Sequence, residues 1–190
     1  MAALAMLVAL YAFGLMVMPG VGPPFLAERR LDMPIALYAH LAGGLVALAV
    51  GPWQMNSRLR ALSLLRHRLL GRVYVIAVLV GGLGALALAT VSMEGLVTHL
   101  GFGMLGVLWL ASTLQAYRRI RAGDQAGHRV WMIRSFALTL AAVTLRVFLP
   151  LSQVVGIPFA DAYQAVAWVC WVPNLVVAEW FVLRTPNHSR

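Results

Sequence analysis

Apolar residues fall in six long runs separated by short polar or turn-rich stretches. The runs cover approximately residues 2–18, 34–53, 71–90, 96–117, 130–149 and 162–183. Each is close to the ~20 apolar residues that a helix needs to cross the hydrocarbon of a bilayer. The pattern predicts an all-α chain, an integral membrane six-helix bundle forming a single transmembrane domain over residues 1–190. Composition agrees, with 62% hydrophobic residues, 11% charged and a mean hydropathy of +0.84, values that belong to a membrane class. The first run lacks a basic leader and a small-residue cleavage pattern, which predicts a retained helix rather than a removed signal.

Charge sets an expected orientation. The formal net charge of +9 and pI near 11.3 could suggest nucleic acid, but the placement of the arginines argues for topology. Arg58, Arg60, Arg66, Arg68 and Arg72 lie in or beside the connection after the second run, and Arg118, Arg119, Arg121 and Arg129 follow the fourth. Arg184 and Arg190 follow the sixth. All three places fall on one side of the membrane. The other side holds Arg29 and Arg30 among Glu28 and Asp32, with Glu94 and Asp161. The positive-inside rule then predicts cytoplasmic termini and arginine-rich loops, in a multi-pass protein of a bacterial inner membrane. Trp53, Trp131 and Trp180 near one boundary and Tyr38 and Tyr163 near the other match interfacial belts. Cys170 is the single cysteine, so no intrachain disulfide or thiolate metal site is available.

The central four runs repeat. His40 opens HLAGG and His67 opens HRLLGRVYV, with an arginine-rich loop between them. His99 opens HLGFG and His128 opens HRVWMIRSFAL, again around an arginine-rich loop. Residues 34–90 and 96–149 thus read as two copies of a helical hairpin, which keep their orientation. His40 and His99 are expected at one depth near the outer face, and His67 and His128 at one depth near the cytoplasmic face.

Histidine is costly in hydrocarbon, so two pairs at matched depths make a bound prosthetic group the leading expectation. Two imidazoles can complete a six-coordinate haem iron inside a bundle. Gly44, Gly71 and Gly103 each follow a histidine by four residues, on the same helical face, where a missing side chain leaves room for a flat macrocycle. His128 alone has Met132 there. Arg68, Arg72, Arg129 and Arg134 are expected to hold haem propionates near the cytoplasmic pair, and Arg146 near the outer pair. The expected cofactor is haem b, two per chain, with a one-haem form as the alternative.

Six helices, the central four carrying one histidine each and paired second with fourth and third with fifth, resemble the cytochrome b561 family of dihaem transmembrane oxidoreductases. That resemblance covers roughly Pro34 to Leu149 and implies electron transfer through the four histidines. The strings GPWQ, HRLLGRVYV and HRVWMIRSFALT are similar to an uncharacterised bacterial membrane family, the domain of unknown function 2306. No segment matches the ascorbate-binding parts of the eukaryotic cytochromes, so a quinol or a cytoplasmic reductant stays open as donor.

Each residue also has a plainer role. His40 and His99 could be packing histidines bonded to backbone, and His67 and His128 could meet anionic lipid head groups. Glu179 is expected to snorkel towards Arg184, Gln54 to cap the second helix or touch a quinone, and Pro173 to kink the sixth. The glycine-rich VGGLGALALA is expected to be a close-packing surface. The segment PGVGPPFLAERRLDMP is turn-rich and could fold over the outer site. Beside the b-type cytochrome stand a haem-free accessory or assembly subunit and a transporter. The lipid bilayer is the expected partner, with a quinone or small redox partner, a homodimer or a larger membrane complex also considered. No nucleophile with a base is evident, which argues against a hydrolase.

Overall fold

The computed structural model describes residues 2–18 and 20–184, without the side chain of Leu59; the tail bearing His188 and Arg190 lies outside the described residues. In chain order the helices are α1 (Ala2–Val17), α2 (Pro24–Asp32), α3 (Pro34–Met55), α4 (Ser57–Leu62), α5 (Leu64–Ala89), α6 (Leu96–Arg121), α7 (Gln125–Thr139), α8 (Ala141–Val154), α9 (Phe159–Val169) and α10 (Val172–Arg184). No strand occurs among the described residues. Five segments are long and apolar enough to cross a membrane: Pro34–Met55, Leu64–Ala89, Leu96–Arg121, Gln125–Val154 and Phe159–Arg184. The first run forms a helix of 16 residues, short of the usual span.

Helix starts follow local capping chemistry rather than the onset of apolarity. Pro24 and Pro34 occupy first-turn positions, where a missing N–H costs nothing. The Ser63 hydroxyl accepts from the Arg66 N–H, and Asp124 Oδ1 accepts from the Gly127 N–H at 2.7 Å, so both serve as N-caps. As a result α5 begins at Leu64 rather than 71 and α7 at Gln125 rather than 130. His67 and His128 therefore lie inside helices, each on a first turn.

Two expected continuous helices are interrupted. The run 130–149 divides at Leu140, where Thr139 bonds back to the Ser135 carbonyl at 3.0 Å and Thr144 to the Leu140 carbonyl at 3.2 Å. Such back-bonding competes with the helical ladder and bends it. The last run divides at Cys170 and Trp171. There Pro173 cannot bond to the carbonyl of Val169, the final residue of α9.

Helices α3, α5, α6 and α7 form a ring in which each packs on the next and α7 returns to α3. The tightest contact is α3 on α5. A Cβ built on Gly43 would stand 2.5 Å from the Gly81 Cα, and one on Gly84 would stand 2.8 Å from the His40 nitrogen. The VGGLGALALA glycines are thus a close-approach surface, as small residues between membrane helices commonly are. Across the ring, α3 faces α6 on one diagonal and α5 faces α7 on the other. α1 packs on α3 and α8, α9 on α6 and α8, and α10 on α7.

Candidate functional site

The ring is open at one end and closed at the other. Towards the start of α3 lies a cavity of about 740 Å³ bounded by α1, α2, α3, the end of α5, α6, the end of α7, α8 and α9. This size falls within the ~300–1,000 Å³ typical of ligand pockets. Its walls are mostly leucine, alanine and aromatic side chains. Its polar groups are few: Tyr11, Arg29, His40, Ser92, Thr139, Arg146 and Tyr163. None of the acidic residues lines it among the described residues.

His40 is half-buried in this wall, and its Nδ1–H donates to the Gly81 carbonyl at 3.1 Å. That bond comes from the close α3–α5 contact, which brings a backbone carbonyl within reach of the ring. With Nδ1 committed, Nε2 is left with a lone pair. Gly44, one turn along α3, lines the cavity, and a Cβ there would meet nothing within 4 Å. The face of α3 beside His40 is therefore open at Gly44.

Arg146 projects from α8 into the same cavity and lies close enough to His40 to act on it electrostatically. Its Nη1 donates to the Ala142 carbonyl at 3.0 Å and its guanidinium stands 5.3 Å from the Tyr11 ring centroid. Its buried Nε has no hydrogen-bond partner among the described residues. A charge in a membrane-spanning helix costs ~2.5–3.5 kcal/mol even on lenient insertion scales, which makes this arginine chemically conspicuous.

Helix α2 covers the cavity. Arg29 Nη2 donates to the Val91 carbonyl at 2.8 Å, and Arg30 Nη2 donates to the Leu15 carbonyl at the end of α1 at 2.5 Å. Leu26 joins Leu15, Leu37 and Leu41 in one apolar cluster. The turn-rich segment thus folds over this end as a short helix held by two arginines.

His99 stands outside the cavity wall. Its Nε2–H donates to the Ser92 carbonyl at 2.9 Å, and Ser92 itself lines the cavity. His99 is thus at the rim, one residue removed from the space His40 faces. Gly103 has nothing within 4 Å of a built Cβ but does not line the cavity.

The other end is packed. His128 Nδ1–H donates to the Ala116 carbonyl at 2.9 Å, and His67 is close enough to His128 to feel its charge. Two turns further along each helix stand Tyr74 and Ser135, which meet across the diagonal. Tyr74 OH bonds Ser135 Oγ at 2.9 Å and Thr139 Oγ1 at 2.7 Å, and Thr113 Oγ1 bonds Ser135 Oγ at 2.7 Å. Trp109 Nε1–H donates to Thr139 Oγ1 at 2.9 Å. Tyr74, Thr113 and Ser135 are fully buried. The Gly71 notch, expected to admit a macrocycle, receives Gln54 instead, with Oε1 3.4 Å from a built Cβ.

Of the arginines expected here, Arg68, Arg72 and Arg129 are exposed. Arg134 does not face His67 and His128. It makes a two-point ion pair with Glu179 on α10, Nε to Oε1 at 2.6 Å and Nη2 to Oε2 at 2.9 Å, and lies over the Trp131 ring at 4.5 Å. Glu179 accordingly pairs with Arg134, while Arg184 stacks on Trp180 at 3.9 Å. The Tyr74 cluster escaped the sequence reading. Its one available signal was the spacing of seven from His67 to Tyr74 and from His128 to Ser135, which puts each pair on one helical face.

A chain whose described residues are all-helical, with five membrane-length apolar segments and a mostly apolar cavity between them, is a multi-pass membrane protein. Residues 37–182 match the family of predicted membrane proteins designated DUF2306, and the chain belongs to that family. No curated protein and no solved structure matches it. The likeness to the cytochromes b561 finds no support among these comparisons.

Proposed function

We propose that this chain is a b-type cytochrome of the membrane, in which His40 would hold haem b in the cavity beside α3. The state of His40 carries the reading. One ring nitrogen is tied to the Gly81 carbonyl, the other is unengaged, and the ring lines an apolar cavity of about 740 Å³. Metal-bound histidines commonly hold their second nitrogen on a carbonyl or carboxylate in this way. The open space beside Gly44 suits a flat ring. The residues present therefore fit the group. We assign His99, on the diagonally opposed helix, as second ligand, a role for which its ring has to turn from the Ser92 carbonyl.

A haem bound there supplies one-electron chemistry; the chain's own part is to fix the His40 tautomer, keep the surroundings apolar and exclude water through α2. The donor we favour is a quinol or a cytoplasmic reductant. The sequence reading also allows a second haem between His67 and His128, held by Arg68, Arg72 and Arg129. The Tyr74 cluster fills the interior beyond those histidines, and this supports one haem per chain. We further read the first helix as a sixth membrane element, the central helices as a duplicated hairpin, and both termini as cytoplasmic in a bacterial inner membrane.

An absorption spectrum of the purified full chain, oxidised and then reduced with dithionite, tests this. We expect b-type bands with one haem per chain, lost in His40→Ala and kept in His67→Ala. Absence of a Soret band from protein expressed with ample haem would sink the cytochrome reading in favour of an accessory or transport role.

A further inference from the structure

We infer that the cavity beside α3 receives an apolar molecule bearing a carboxylate, and that Arg146 grips that carboxylate. The inference deepens the reading above by sharing its cavity, but it does not depend on iron. The charges around the cavity are unbalanced. Arg146 and Arg29 both line the cavity and no Asp or Glu does, among the described residues. Arg29 already has Asp32 at 3.4 Å and the Val91 carbonyl. Asp124 is held by Arg119 and Glu179 by Arg134. Arg146 has only the Ala142 carbonyl, four residues back on its own helix, and the face of Tyr11.

The geometry of what remains on Arg146 selects the anion. Nη1 is committed to Ala142, so the edge formed by Nε and Nη2 is the one left, and its Nε is buried without a partner. Those two parallel N–H groups match the two oxygens of a planar carboxylate. The same chain shows this fork in use: Arg134 presents Nε and Nη2 to the two oxygens of Glu179. Arg146 lines an apolar volume, walled by Leu45, Leu145 and Leu149, that contains no acid among the described residues, and the equivalent edge of its guanidinium carries the unpartnered Nε. A guanidinium fork in a mostly apolar cavity is complementary to an acidic amphiphile. A porphyrin propionate and a free long-chain fatty acid are two sources of that chemistry.

The detergent-purified full chain is titrated with metal-free protoporphyrin and, separately, with its dimethyl ester, following ligand absorbance and tryptophan quenching. We expect the acid to bind wild type at least about tenfold more tightly than the ester, the size of one charge-assisted hydrogen-bonded contact. Arg146→Gln should bring the acid down to the ester's affinity and leave the ester unchanged. His40→Ala should keep the preference for acid. Displacement of the porphyrin by oleate assigns the site to lipid carboxylates as well; retention of the porphyrin against excess oleate assigns it to the propionate. Equal binding of acid and ester by wild type overturns the inference without any variant having to fold, as does undiminished acid binding by Arg146→Gln. The iron reading fails separately, if iron porphyrin binds wild type and His40→Ala alike while the acid preference persists.

Discussion

At the end of the ring rich in arginine, α5 and α7 reach each other across the diagonal through Tyr74, Ser135 and Thr139. At the opposite end α3 and α6 both line a cavity of about 740 Å³. Both ends start from histidines in the first two turns of their helices, three of which hold a backbone carbonyl. What differs is the residue seven positions on. Beyond His67 and His128 stand Tyr74 and Ser135, large or hydroxylated groups that join. Beyond His40 and His99 stand Ala47 and Gly106, which cannot bridge the diagonal. A histidine near a helix start thus says little about its use until the next two turns of the same face are read. One end is built to hold helices together, and the other to hold them apart around a space.

The sharpest way to break this contrast uses two adjacent glycines of α3. Gly43 faces α5, where a Cβ would stand 2.5 Å from the Gly81 Cα; Gly44 faces the cavity, where a Cβ would meet nothing within 4 Å. Gly43→Ala has to push two backbones apart and should cost roughly 1–3 kcal/mol, as overpacking of a tight contact does. Gly44→Ala should cost nothing and gain up to about 1 kcal/mol of helix propensity. Thermal unfolding of the two variants in detergent checks the difference. Equal melting temperatures would mean that α3 and α5 are not in backbone contact at Gly43 and Gly81.

At the closed end the expected effect is smaller. Tyr74→Phe removes the hydroxyl that bridges Ser135 and Thr139 but leaves the ring in place. Ser135 keeps Thr113, and Thr139 keeps Trp109 and the Ser135 carbonyl. The loss should therefore stay near the ~0.6–1.7 kcal/mol measured for hydrogen bonds between membrane helices. It should also leave porphyrin binding at the open end unchanged, which a titration of the variant would show. A binding defect in Tyr74→Phe would mean that the two ends are coupled through Thr139, which touches both.

Much of this contrast was legible in the sequence and part was not. The helical class, the membrane-length segments, the close-packing role of VGGLGALALA and the break before Pro173 follow from hydropathy and local sterics, which act over a few residues. Gly44 followed from its four-residue spacing on the same helix as His40, and Arg146 from matched depth, because helices of known direction place residues along the membrane normal. Rotation about the helix axis is what depth cannot supply. Arg134 turned to Glu179 on α10, Gln54 filled the Gly71 notch, and His99 turned to Ser92, each decided by which neighbour lies alongside. Helix starts were misplaced for a different reason. Arginines continue a helix well, so α5 and α7 run back to Ser63 and Asp124 through residues too polar to count towards an apolar run.

Asp124 gives the smallest effect and the finest test of the closed end. It caps α7 through Oδ1 on the Gly127 N–H, while Oδ2 meets Arg119 at 3.0 Å and its carbonyl accepts from the His128 N–H at 3.0 Å. The Gly127 N–H bond, and after it Arg119, hold this carboxyl below its ordinary range. A carboxyl with a depressed folded value stabilises the fold above its unfolded value, near pH 4. That contribution is lost as pH falls through the lower, folded value. Amide exchange at Gly127 and His128 should therefore stay protected at neutral pH and down through about pH 5, then loosen below the usual carboxylate range. In Asp124→Ala the same amides should exchange faster at neutral pH, with no such acid transition. Because His128 sits on that first turn, the bond from its ring to the Ala116 carbonyl should weaken with the cap, and the ring's proton resonances should follow the same acid limb. A first turn of α7 that stays protected in Asp124→Ala would show that Ala116 and the neighbouring helix hold His128 in place without the cap.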